Sequence, residues 1–165
     1  MRRLIKLIAA TVTTAMLLAS STLVNAGAPD DYVRKYSRLA QDIGRETGVP
    51  ASLILAVAIV ESGYGKSKSS KLLNNHFGIV GGSETGATKP YSSRYRYFAN
   101  HESSFRAFAS LMVRKYNVPE LKKQGFTVSQ IIKKIKCRYD VHTPESWEQQ
   151  LNKAIRAHRL TQFDA

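Results

Sequence analysis

Residues 51–65 read ASLILAVAIVESGYG, and the reading of the whole chain turns on them. From Leu53 to Val60 there is no polar side chain. Pro50 stands just before the run, where a first helical turn accepts it. A stretch that is apolar almost all round, Ala51–Val60, predicts a helix buried on every side. Gly63 and Gly65 stop it. Glu61 is therefore a lone carboxylate at the end of a core helix. Apolar surroundings disfavour its charged form, and the negative end of the helix dipole pushes the same way. A carboxylic acid kept protonated near neutral pH is what a general acid needs. The plain alternative is a solvated glutamate where a core helix surfaces.

Outward from this helix the patterning is mostly helical. Asp30 or Asp31 can cap a helix with Val33, Tyr36, Leu39, Ala40 and Ile43 on one face. Lys68–Leu73 reads as a short helix. Asn100 can cap a helix whose inner face is Phe105, Phe108, Leu111 and Met112. Pro119–Lys123 is a helical turn, and Thr127 caps a helix carrying Val128, Ile131, Ile132 and Ile135. Thr143-Pro144-Glu145 starts a last helix that buries Trp147, Leu151 and Ile155, with His158 beside them. Between these helices, His76–Val80 reads as a strand entering a Gly81-Gly82 turn, and Tyr91–Phe98 as its return. The expected class is α+β, mainly α, with a short β-hairpin lobe.

The chain has 165 residues, enough for one domain, and carries 25 Lys+Arg against 12 Asp+Glu, a formal net charge of +13. That balance points to a polyanionic partner: nucleic acid, a membrane face or an anionic cell wall. Arg2, Arg3 and Lys6, the apolar Leu7–Leu18 and the small-residue site Val24-Asn25-Ala26 read as a secretory signal over residues 1–26. Its apolar part falls short of the roughly 20 residues of a membrane span. The expectation is one exported domain, 27–165, periplasmic or secreted, with 22 basic and 12 acidic residues. Export argues against chromosomal DNA as the partner, and no stable membrane insertion is expected after cleavage. Cys137 is alone, so no intramolecular disulfide is possible and a passive thiol is expected. His76, His101, His142 and His158 lack metal-ligand spacing, so neither metal nor cofactor is expected. Lys122-Lys123 and Lys133-Lys134-Lys136 read as solvated helix faces.

A second motif, Asn74-Asn75-His76-Phe77-Gly78-Ile79, follows Glu61-Ser62-Gly63-Tyr64-Gly65-Lys66-Ser67. Together they resemble the peptidoglycan N-acetylglucosaminidases of glycoside hydrolase family 73. Arg96-Tyr97-Phe98 and Glu102-Ser103-Ser104-Phe105 are similar to that family's return strand and next helix. Cys137-Arg138-Tyr139 before Pro144 and Trp147 stands where the family has a Gly-Tyr-Ala turn, with larger flanking residues here.

The resemblance implies a lysozyme-like fold and hydrolysis of the β-1,4 bond between N-acetylglucosamine and N-acetylmuramic acid. It places Glu61 on the catalytic glutamate and Tyr139 on an active-site tyrosine. Many members have a second carboxylate in the lobe, for which Glu84 is the candidate here, and Glu102 fits better as a first-turn helix acid. Tyr64, Asn75, Tyr91, Tyr95 and Tyr97 are the candidate sugar contacts. Inverting, retaining and substrate-assisted routes all stay open. A lytic transglycosylase or a muramidase on the same fold is a rival enzyme, though no Gly-Leu-Met-Gln-like stretch follows the glutamate. A non-catalytic wall-binding or assembly module is the rival from another class, and membrane lysis is disfavoured by the scatter of basic residues. Peptidoglycan strands are the expected partner, with an envelope-spanning secretion or assembly machine as a further one.

Overall fold

The apolar run forms the middle of the molecule. The computed structural model describes residues 28–140 and 142–164, so the expected signal segment lies outside the described residues. The helices are α1 (Ala28–Thr47), α2 (Ala51–Ser62), α3 (Lys68–Leu73), α4 (His101–Tyr116), α5 (Val118–Lys123), α6 (Val128–Tyr139) and α7 (Pro144–Ala157). A 3-10 turn, Leu160–Phe163, closes the described chain. Every residue of α2 from Ala51 to Ile59 is buried, as a helix without a polar face must be. α1, α4, α6, α7 and the 3-10 turn pack around it. Leu53, Ile54, Leu55 and Val57 are wholly inaccessible, and burying each such side chain stabilises the fold by roughly 1.5–3 kcal/mol.

A distant side chain fixes the start of α2, and a local turn fixes its end. Pro50 supplies no side-chain cap. Asp164 takes that role, accepting from the Ser52 amide at 2.7 Å and the Ser52 hydroxyl at 2.6 Å, and its negative charge suits a helix N-terminus. At the other end Gly63, Tyr64 and Gly65 all have left-handed backbone, with φ of 55°, 57° and 73°. A Cβ on Gly65 would lie 3.0 Å from a ring carbon of Tyr32, so glycine is needed there for space as well as conformation. The Ser62 hydroxyl ties the turn together, donating to the Ala58 carbonyl and accepting from the Gly65 amide at 2.8 Å.

Asn100 caps α4 and Thr127 caps α6, the latter in a reciprocal box with Gln130. Glu102 lies in the first turn of α4. Two expected caps differ. α1 begins at Ala28, so Asp30 and Asp31 occupy its first turn rather than the cap. Thr143 precedes α7 without capping it, because its hydroxyl donates instead to Asp140 at 2.8 Å. His158, expected on the buried face of α7, is its half-buried C-cap. Lys136 is not part of a freely solvated face, since Glu148 and Glu145 lie 2.6 and 3.3 Å from its ammonium.

The expected β-hairpin is the main correction. Among the described residues there is no strand, only two isolated bridges, Val80 with Tyr95 and Ser83 with Tyr97. Side chains do much of the work of a ladder. The Lys89 ammonium donates to the carbonyls of Gly81, Ser93 and Tyr95 at 2.6–2.8 Å. Asn75, wholly buried, donates to Ile79 and Arg96 carbonyls and accepts from the amides of Phe77 and Ile79. Backbone groups that a regular sheet would satisfy thus find partners in an irregular lobe.

Candidate active site

Glu61 is the last but one residue of α2, at the point where the core helix reaches the surface. Its carboxyl enters a cleft of about 520 Å³ between the lobe and the α4 and α6 ends. Phe77, Gly78 and Ile79 line it on the lobe side, and Tyr116, Tyr139 and Asp140 on the other. A Cβ on Gly78 would lie 3.8 Å from one Glu61 oxygen, and Gly78 has φ of 64°. Glycine there keeps the lobe's backbone close to the carboxyl. The indole N–H of Trp147, on α7, donates to Glu61 at 2.9 Å. Trp147 is itself buried and stacks on Tyr139, ring centres 4.8 Å apart.

The residue is open to water from the cleft, while protein crowds its carboxyl from the flanks. That crowding raises its pKa above the ordinary carboxylate value. The Trp147 hydrogen bond opposes the rise, and the charge of Asp140 adds to it. Asp140 itself is held below the usual range, mainly by Thr143. It accepts from the Thr143 amide at 3.0 Å, the Thr143 hydroxyl at 2.8 Å and the His142 amide at 3.0 Å. Two carboxyl groups in one cleft are thus pushed in opposite directions, one toward the neutral acid and one toward the anion. Burial, first, and then Glu61 and Tyr116 push the Tyr139 phenol up, so it stays a neutral donor or acceptor at the cleft wall.

The other sequence candidates scatter. Tyr95 lines the cleft with Glu61 and Tyr139. Tyr64 bonds His158 at 3.0 Å and faces a separate concavity beside Tyr32 and Lys71. Tyr91 lies under the Lys68 ammonium, 4.2 Å from its ring centre, and neither it nor Tyr97 lines the cleft. Asn75 has both amide atoms committed to backbone, which leaves it a lobe staple with nothing to offer a sugar. Glu84 is not brought to Glu61 either. It accepts from the Ala99 amide at 2.8 Å and pairs with Arg96 at 3.9 Å. Sequence spacing missed Trp147 as the partner of Glu61, and Asp140, whose place beside Tyr139 was its sole signal. It also missed His76 and His101, whose rings meet at 2.9 Å. Among the described residues no group of three or more His, Cys, Asp or Glu is arranged to hold a metal.

Three comparisons bear on this cleft. The glucosaminidase family profile, described as mannosyl-glycoprotein endo-beta-N-acetylglucosaminidase, matches residues 37–160. An autolysin of Enterococcus faecalis (strain ATCC 700802 / V583) is 29% identical over 166 residues, covering 87% of this chain. The chain spans only 22% of that relative's length. The catalytic domain of the autolysin Auto from Listeria monocytogenes superposes with a TM-score of 0.69 at 23% identity, over 84% of this chain and 88% of that one. A peptidoglycan hydrolase from Sphingomonas sp. A1 gives 0.59 at 25% identity, over 81% and 91%. The matched span takes in the Glu61 turn, the Asn75 staple and the Tyr139–Trp147 stack, and the chain belongs to the glucosaminidase family, glycoside hydrolase family 73.

Proposed function

We propose that this protein is an exported peptidoglycan hydrolase that cleaves the β-1,4 bond between N-acetylglucosamine and N-acetylmuramic acid. The observation that carries the reading is Glu61: a carboxyl with a raised pKa, fixed by the Trp147 indole, in a cleft open to a chain-like ligand. Family membership and the likeness to a peptidoglycan hydrolase support the substrate class. Glu61 gives its proton to the glycosidic oxygen as the C–O bond breaks; water then adds its OH to the sugar carbon, and the proton it loses restores Glu61, directly or through solvent. Asp140 is the anion in the cleft. Its oxygens already accept three hydrogen bonds, which suits it to steadying positive charge on the opening sugar ring rather than to attacking it. The Tyr139 hydroxyl orients water or substrate at the cleft wall, and Tyr95 offers a ring face for stacking.

The test is Glu61→Gln. It is expected to fold, to sediment with peptidoglycan, and to clear it about 10²–10⁴-fold more slowly than the wild type. Clearing at the wild-type rate would remove Glu61 from the chemistry. A wild type that clears no wall preparation would favour a binding module. Product ends separate the enzymes: reducing N-acetylglucosamine supports this reading, reducing muramic acid a muramidase, and 1,6-anhydro ends a transglycosylase.

A further inference from the structure

Three cations line the cleft without an acidic partner: Arg94 on the lobe side, Lys115 at the end of α4 and Arg138 near the end of α6. No Asp or Glu side chain lies within ion-pair distance of any of them, and all twelve are among the described residues. Unpaired cations also stand on outer faces, as Lys122 and Lys123 do on α5, but these three share one cleft with Glu61.

Lys115 and Arg138 are moreover held together. The Lys115 ammonium is 5.4 Å and the Arg138 guanidinium 5.5 Å from the centre of the same ring, Tyr116. The Tyr116 hydroxyl donates to the Arg138 carbonyl at 2.9 Å, and the Arg138 guanidinium donates to the Lys115 carbonyl at 3.4 Å. Both cations are thus anchored on one ring at the cleft wall, and an anion bound in the cleft gains attraction from each. Asp140 lines the same cleft but lies beyond ion-pair distance of all three cations.

We propose that Lys115 and Arg138, with Arg94 across the cleft, form a subsite for carboxylates carried on the lactyl arm of muramic acid. The inference rests on the reading of the cleft as a glycan-cleaving site. Along a glycan strand the N-acetylglucosamine units are neutral, and the muramic acid units alone bear carboxylates. These belong to the stem peptide, or to the lactyl group itself once the peptide is gone. A cationic subsite beside Glu61 therefore sets which sugar lies on which side of the scissile bond, and makes the enzyme prefer this polymer over chitin.

Binding in a Glu61→Gln background tests it, read by the fluorescence of Trp147, the single tryptophan, which touches residue 61. The probes are soluble peptidoglycan strands with stem peptides, the same strands stripped by an amidase, and N-acetylglucosamine hexaose. The parent is expected to bind one or both anionic probes more tightly than the hexaose. Adding Lys115→Gln and Arg138→Gln is expected to weaken anionic binding by about tenfold. The hexaose is expected to change less than about twofold. Loss on the peptide-bearing strand alone assigns the carboxylates to the peptide, and loss on the stripped strand alone assigns them to the lactyl group. Equal loss on all three probes, or a parent that binds hexaose as tightly as both strands, overturns the subsite. Arg94→Gln, on the opposite wall, repeats the test should the double variant not fold. A wild type that binds selectively but clears no wall would sink the hydrolase reading and leave the subsite standing.

Discussion

At the scale of single residues, the Trp147–Glu61 hydrogen bond joins positions 86 apart, aims the carboxyl and restrains the rise in pKa that burial causes. It favours the charged form, so its loss raises the Glu61 pKa further. Trp147→Phe keeps an aromatic ring against Tyr139 and removes the N–H. The alkaline limb of kcat/KM against pH is expected to move up by about one unit. Peak activity is expected to fall by about tenfold as the carboxyl loses its orientation. An alkaline limb that stays in place would show that the indole only packs. Stability carries the opposite signature. A carboxyl whose pKa is raised on folding binds its proton more tightly in the native state, so stability falls as pH rises from the ordinary carboxylate value through the raised one. Glu61→Gln should therefore melt at or above the wild-type temperature at pH 8, and lose that advantage at pH 4. A lower melting temperature at pH 8 would contradict a strained ionised Glu61. The position of Glu61 is legible in the sequence because one charge ends an apolar run. Its donor is not, because nothing in the spacing of Trp147 says which distant group its N–H reaches.

At the scale of elements, the helices were legible and the lobe was not, for a physical reason. Helices advertise themselves through local periodicity and caps, as Asn100 and Thr127 do. The lobe is held by side chains reaching backbone across gaps of up to 24 residues, from Asn74 to Phe98, and the Asn75 amide is the chief of them. Asn75→Ala would leave buried backbone carbonyls and amides unpaired, at a cost of about 2–4 kcal/mol. Activity should fall with stability, since Gly78 and Ile79 follow directly and line the cleft; a melting temperature within a degree of wild type would contradict the staple. The lobe's other anchor is His76. It bonds Tyr32 at 2.8 Å and His101 at 2.9 Å, and Tyr36, Phe105 and Lys35 surround it. Burial, then the neighbouring His101 and Lys35, hold its pKa down to about 3. The unfolded chain takes up a proton near pH 6.5, well before the native one does. The neutral ring thus contributes stability that is complete above about pH 6.5 and is lost as pH falls toward 3, on the order of 4 kcal/mol. His101, lowered as well, acts in the same direction. The His76 ring resonance should show no titration above about pH 4, and a midpoint near 6 would refute the anchor.

At the scale of the whole molecule, the 22 bases and 12 acids of the described residues resolve into two populations. On the outer helix faces acids and bases pair, as in Arg45 with Asp42 and Arg106 with Glu46 and Glu102. Exposed pairs of this kind add little stability. They also cancel at a distance, so the surplus seen by an approaching polymer comes from unpaired cations. These include the cleft residues Arg94, Lys115 and Arg138, and Lys122 and Lys123 at the end of α5. A surplus of one sign steers an anionic surface over a range set by the Debye length, about 30 Å at 0.01 M salt and about 8 Å at 0.15 M. Clearing of intact wall should therefore slow by roughly tenfold over that salt range through a weaker encounter. Release of product from a short neutral oligomer already bound at saturation should barely change, because a general acid acts on a bond it touches. Lys122→Gln with Lys123→Gln lies away from the cleft and should flatten the salt dependence on wall while leaving the rate on the oligomer intact. If salt slowed both substrates alike, the charge would be acting on the cleft chemistry rather than on approach. If salt slowed neither, the basic surplus would have no part in finding the wall.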